Sequence, residues 1–454
     1  MTKFVFRTFG LLVILGSATL AGPKPFPRGI MDLPAKITAA APIGALTDHP
    51  WLNPNVDGLR IRTGWNNSEP SDGLYNWVQI DDCLANAVAS GKFIGLSLIS
   101  GLDAPPWLMG GVTFGDGSTT LAVATLTSLT ANFTTADVGR VIVSDNFPAG
   151  TTIVSWTSST VVQTSLGASK TSTTKKPAAF SVLARNSGGA AFRVLTAPDS
   201  GVMPVPWDPL FKAQWKQFVA DLGARYDGNP QLHYIAMTGF QQTGECYIAN
   251  TQADIDFFNA SALAAGYQAS DTLPAGLVAW EATVKEMVAQ FMVSFPNTPL
   301  VITGAKPFGG PSAAVGQIAM QDIFDWGVTT YPGRFGIMNS QVMATSGSKY
   351  YLNAAILNNH LTEPTGIQFV CNTATTDNVA RLSNSTPYGS DPLLSPYDAM
   401  NSTFNAALSF GVGYIEVYEI DINNLAYQAL LAQERLALGL GQMPSAPTNL
   451  HIVP

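Results

Sequence analysis

The chain has 454 residues, of which 46% are hydrophobic and only 12% charged, a balance that excludes a disordered chain. Three Cys exclude a disulfide scaffold, and 23 Lys and Arg against 31 Asp and Glu give a net charge of −8, with no basic stripe for nucleic acid or anionic lipid. The length suits one large barrel with additions or two to four domains.

Residues 1–21 read as a secretory signal peptide: Lys3 and Arg7 precede an apolar run from Phe9 to Leu15, and small residues around Ala18 and Ala21 offer a cleavage site. Its removal takes two basic groups and brings the net charge to −10. The expected location is secreted or periplasmic, with no membrane contact after cleavage. A single membrane anchor is the other reading, for which the run is short. Cys83, Cys246 and Cys371 are widely spaced, with no His at ligand spacing. They read as buried thiols, and neither a metal nor a cofactor is expected.

From Gly58 onward short β-rich runs alternate with helical periodicity. Strands are expected at Gly58–Trp65, Phe93–Ser100, Leu232–Thr238, Leu300–Thr303, Phe335–Met338, Gly366–Val370 and Tyr414–Ile420. Helical patterns fall at Trp77–Ala89, Trp207–Tyr226, around Trp280–Phe295, Ala313–Trp326, Tyr350–Leu361, Ala399–Phe410 and Leu425–Leu438. With an eighth strand near Pro42–Leu46, the pattern predicts a TIM (β/α)8 barrel. An open doubly wound sheet is the runner-up, but no GxGxxG follows the first strand. The barrel spans residues 22–111 and 186–442. Residues 112–185, rich in Thr, Ser, Val and Gly, read as a small inserted all-β domain, and 443–454 as a C-terminal tail. The insert loosely resembles short β-modules of bacterial surface and phage-tail proteins.

Chemistry in such a barrel belongs at the C-terminal ends of the strands. Carboxylates there are Glu69, Asp103, Glu245, Glu416, Glu419 and Asp421. The set Arg62-Thr63-Gly64-Trp65, Glu69-Pro70, Gly73, Tyr75, Trp77, Asp81, Gly91-Lys92 and Pro105-Pro106-Trp107-Leu108 resembles the early part of clan A retaining glycoside hydrolases, the β-galactosidase and endoglycanase-like barrels. The resemblance covers about residues 58–108. It implies hydrolysis of a glycosidic bond in an oligo- or polysaccharide by two carboxylates. It places a general acid/base Glu after the fourth strand, where Glu245 stands, although Gly244 replaces the usual Asn. It also implies a nucleophilic Glu at the end of the seventh strand, where this chain carries Gln368.

Glu416 is the substitute nucleophile, since alternation turns Tyr414, Glu416 and Tyr418 to the lumen or mouth. Glu419 is its nearest rival, and a structural ion pair of Glu416 with Arg62 or Arg60 is the other reading. Arg62 is expected to keep the nucleophile ionised. Trp65, Trp107, Trp207 and Tyr247 are expected to stack on sugar rings, or else to belong to the core, with Trp207 the most favoured to lie outside it. Glu69, Asn339, Gln341 and Gln368 complete the substrate-binding set with Tyr414 and Tyr418. A catalytically silent carbohydrate-binding protein on the same barrel, or a structural component of a cell or phage surface, remains the alternative.

Overall fold

The computed structural model describes residues 23–38, 41–186 and 188–440. The expected signal peptide and the C-terminal tail lie outside the described residues.

Eight strands form a closed, all-parallel barrel: β1 (Gly29–Leu33), β2 (Gly58–Gly64), β3 (Phe93–Ile99), β4 (Leu232–Ala236), β5 (Leu300–Gly304), β6 (Phe335–Val342), β7 (Thr365–Phe369) and β8 (Tyr414–Tyr418). The seven strands expected from Gly58 onward are all present. The eighth is not Pro42–Leu46 but Gly29–Leu33, all five of whose residues are buried. Pro42–Leu46 leads into a turn, where Gly44 has φ +68° and the Asp48 carboxylate accepts the Ala45 N–H. Strand β1 closes the barrel by pairing β8 from Gly29 opposite Tyr414 to Leu33 opposite Tyr418. The last strand ends at Tyr418, and Glu419–Ile422 turns into a single helical turn.

Helices α1 (Val78–Ser90), α2 (Pro209–Tyr226), α3 (Gln252–Ala264), α4 (Ala275–Ser294), α5 (Ala313–Thr330), α6 (Tyr351–Asn359), α7 (Pro396–Ser409) and α8 (Gln428–Leu440) surround the strands. Among the described residues the first crossover, from Leu33 to Gly58, holds only a 3-10 turn, Pro50–Leu52, and otherwise runs without a helix. Local chemistry sets the ends of the helices. Gly91 closes α1 at φ +66°, a left-handed position that suits glycine. Asp208 opens α2 by accepting the Leu210 and Phe211 N–H groups, with Pro209 at the first helical position.

Between β3 and α2, ahead of a two-stranded hairpin of Phe192–Leu195 with Gly201–Pro204, the chain folds as two three-stranded antiparallel sheets. In one, Ala178–Val182 lies between Val112–Gly117 and Ile142–Val143; in the other, Val161–Thr164 lies between Thr125–Thr127 and Ile153–Ser158. Phe133, Ile142, Ile153, Val162 and Phe180 give this insert a core separate from that of the barrel. Its two ends meet, because Ala184 N–H bonds Met109 C=O at 2.9 Å and Asn186 N–H bonds Gly110 C=O at 2.8 Å.

The lumen is filled rather than open. Tyr234 of β4 and Tyr414 of β8 stack across it with ring centroids 4.8 Å apart. Each needs a glycine beside it: a Cβ on Gly95 of β3 would meet the Tyr234 ring at 2.0 Å, and one on Gly366 of β7 would meet the Tyr414 ring at 2.1 Å. Arg60, Tyr234, Met338 and Glu416 fill this level from the even-numbered strands, the alternate-strand layering of a packed (β/α)8 interior.

Candidate active site

At the C-terminal mouth, Arg62 rises from β2 and donates from Nη2 to the Pro34 carbonyl just beyond β1, at 2.7 Å. Its charge is felt by Glu416, Tyr418 and Glu245. Tyr418 tops β8 and accepts a hydrogen bond from Gln368 Nε2 of β7 at 3.3 Å. Glu245 sits half-buried on the loop after β4, where Thr243 Oγ1 donates to its Oε2 at 2.8 Å. That loop is pinned from β5, since Cys246 N–H bonds the Thr303 carbonyl at 3.0 Å. It also dips over the lumen: a Cβ on Gly244 would lie 3.6 Å from Arg60 Nη2. Gly244 is thus where the loop comes down on the arginine. Arg62, Glu245, Gln368 and Tyr418, all expected from sequence, are brought together here, with Tyr247 half-buried on the same loop. Burial pushes the Tyr247 hydroxyl up to about 12.

Glu416 lies deeper than expected. Its side chain is fully buried, with Arg60 Nη1 at 2.8 Å from Oε2 and the Tyr234 hydroxyl donating to Oε1 at 2.7 Å. The lumen-facing direction read from alternation is correct, but both oxygens are occupied beneath the mouth. Burial raises this carboxyl, and Arg60 and Tyr234 pull it back. Burial opposes the charge on Arg60, but Glu416 overrides it and holds the guanidinium protonated. The ion-pair partner is Arg60, not Arg62.

Glu419 sits at the rim with a quarter of its side chain exposed, its Oε2 2.6 Å from His49 Nδ1. It also meets Asp32 of β1, a fully buried carboxyl. Among the described residues neither Asp32 oxygen has a hydrogen-bond partner, so this buried carboxyl faces a second acid without a donor to compensate its charge. Burial raises Asp32 well above the ordinary carboxylate range, and the neighbouring Glu419 adds to this. Arg62 and the Leu33 amide oppose it too weakly to win. Sequence reasoning missed Asp32 and His49; an Asp inside an otherwise apolar five-residue run was the available signal.

Most of the expected aromatic platforms are core. Trp65 is fully buried against Trp215, with centroids 5.0 Å apart, and donates to Glu69 Oε2 at 2.7 Å. Glu69 is itself buried and accepts the Gly73 N–H, so it secures the turn after β2 rather than meeting a ligand. Trp107 is half-buried on Trp65 and donates to the Glu69 carbonyl at 3.1 Å. Trp207 is buried instead of lying outside the core, because α3, unforeseen in the sequence, offers Phe258 and Ser261 to its ring and N–H. Asn339 is buried too: it donates to Asn353 Oδ1 at 2.7 Å and accepts the Gln341 N–H at 2.9 Å. Gln341 is exposed, and Tyr414 is sealed in the lumen. Among the described residues no group of three His, Cys, Asp or Glu side chains is placed to hold a metal ion, and no helix is long and apolar enough to cross a membrane.

No family model matches the chain, and no curated protein matches it. Solved structures share the barrel at low likeness. They include a psychrophilic glycoside hydrolase family 10 endo-beta-1,4-xylanase, at 8% identity and a TM-score of 0.39 over 88% of this chain and 89% of that one. The catalytic domain of a beta-amylase from Paenibacillus polymyxa aligns at 8% identity and a TM-score of 0.46, over 92% of this chain and 100% of that one. A pyruvate kinase from Pyrobaculum aerophilum aligns at 9% identity and a TM-score of 0.31, over 92% of this chain and 74% of that one. The architecture therefore rests on this chain's own strand order, and its chemistry on its own side chains.

Proposed function

We propose that the barrel mouth hydrolyses a glycosidic bond in an oligo- or polysaccharide, with Glu245 as the general acid. The observation that carries this reading is a half-buried Glu245 on the loop after β4, beside Arg62 and Tyr418. Glycoside hydrolysis needs one carboxyl to protonate the leaving oxygen and an ionised one to act as nucleophile or base. Glu419 is assigned the second role. Glu416 has both oxygens engaged below the mouth, whereas Glu419 reaches solvent and is oriented by His49. Gln368 and Tyr418 then offer hydrogen bonds to sugar hydroxyls. The polypeptide acts outside the cytoplasm if residues 1–21 serve as the signal peptide they resemble.

Aryl-glycosides and a polysaccharide panel test the assignment. Turnover is expected in the full chain, with the released anomer read by proton NMR to separate retention from inversion. Glu245→Gln should lose poor leaving groups most, because those need the proton. Glycan bound without turnover would favour the silent carbohydrate-binding reading, which Gln368 at the end of the seventh strand supports.

A further inference from the structure

Two arginines rise from one strand, two residues apart, and among the described residues only Arg60 has a carboxylate within ion-pair distance. Arg60 gives Nη1 to Glu416 at 2.8 Å and to Met338 Sδ at 3.1 Å, and its Nη2 lies 3.5 Å from Ser97 Oγ. Arg62, one level higher at the mouth, makes one side-chain hydrogen bond among the described residues, from Nη2 to the Pro34 carbonyl. Its Nε is buried with no acceptor, and among the described residues no carboxylate stands within ion-pair distance of it. A half-buried guanidinium with no paired carboxylate carries a desolvation cost that its more distant acidic neighbours offset only in part. Burial and the Arg60 charge weaken its hold on the proton more than Glu416, Tyr418 and Glu245, none of them paired with it, restore it.

We propose that Arg62 is an anion-recognising group that takes the carboxylate of an acidic sugar, a uronic acid unit of the saccharide bound at the mouth. The planar guanidinium matches a carboxylate in shape and charge, and a ligand that brings one supplies the missing counter-ion. Gln368 and Tyr418 lie beside it to meet ring hydroxyls. This subsite deepens the hydrolase reading and rests on the same mouth, but it is tested by binding.

The full chain is titrated calorimetrically with oligogalacturonate and oligoglucuronate, and with the matched neutral galactose and glucose oligomers. Wild type should favour an acidic oligomer over its neutral counterpart about tenfold or more. Arg62→Gln should erase that preference, and Arg62→Lys should restore part of it. Arg62→Gln should melt close to wild type, since it breaks no ion pair and loses only the hydrogen bond to the Pro34 carbonyl; a structural arginine would give a clear loss. Equal binding of acidic and neutral oligomers, no binding of either acid, or an unchanged preference in Arg62→Gln overturns the proposal. Acid-selective binding without turnover leaves the subsite standing and removes the hydrolase reading. Turnover of neutral glycans with no acid preference does the reverse.

Discussion

Gly95 lies directly beneath the ring of Tyr234, and the missing Cβ is what lets that ring cross the lumen: the atom would sit 2.0 Å from Tyr234 Cζ. The Tyr234 hydroxyl then reaches Glu416 at 2.7 Å from the opposite wall. A glycine on β3 thereby sets the position of a carboxylate on β8. Gly95→Ala should displace the ring, break that hydrogen bond and cost roughly 1–3 kcal/mol through overpacking. Urea unfolding measures it. Wild-type stability in Gly95→Ala would mean the lumen has slack that this geometry denies.

The Arg60–Glu416 pair makes a sharper prediction. Both side chains are buried, so removing one charge strands the other. Glu416→Gln should cost about 3–5 kcal/mol, whereas replacing both partners with apolar residues of similar volume should recover much of that loss. Equilibrium denaturation of the single and double variants decides it. A Glu416→Gln protein of full stability that has lost only turnover would return the nucleophile to Glu416, as alternation along β8 first suggested.

Why the barrel was legible and the site only partly so follows from the range of the interactions. Seven strands announce themselves as apolar runs between helical periods. The first does not, because Asp32 interrupts its run and its partners on β8 lie at the other end of the chain. Helix α3 was missed because Ile255, Phe258 and Ala262 sit among small and polar residues, and the burial of Trp207 went with it. Glu245 could be placed by counting strands. For Glu416, alternation gave the face but not the depth along the lumen. The His49–Glu419 contact joins residues 370 positions apart and leaves no local trace.

The inserted sheets should be dispensable for the barrel. Their apolar core is their own, and the chain enters and leaves where Met109 and Gly110 bond Ala184 and Asn186. Replacing residues 112–182 with a short Gly/Ser linker should leave the far-ultraviolet signal of the remaining helices and a cooperative melt. An insoluble or non-cooperative product would show that the insert supports β3 and its following loop.

The Asp32–Glu419 contact predicts a pH dependence of stability with a definite sign. Asp32 is buried beside a second acid, and its folded-state pKa lies well above that of the unfolded carboxyl. The groups that face it are Glu419, which is bonded in turn to His49, and Arg62 from β2. Below about pH 4 the folded and unfolded chains both hold the proton, and the contact contributes in full. As pH rises, the unfolded chain releases that proton while the folded chain keeps it. Stability then falls by at most about 1.4 kcal/mol per pH unit until the folded carboxyl itself ionises. Asp32→Asn keeps the shape and a hydrogen-bond donor but has no proton to lose. Its melting temperature relative to wild type should therefore climb between about pH 5 and pH 8. Infrared difference spectra should show a protonated carboxyl band at neutral pH in the wild type that the variant lacks. A constant difference in melting temperature, with no such band, would mean that Asp32 is ionised in the fold and that the two acids are held apart.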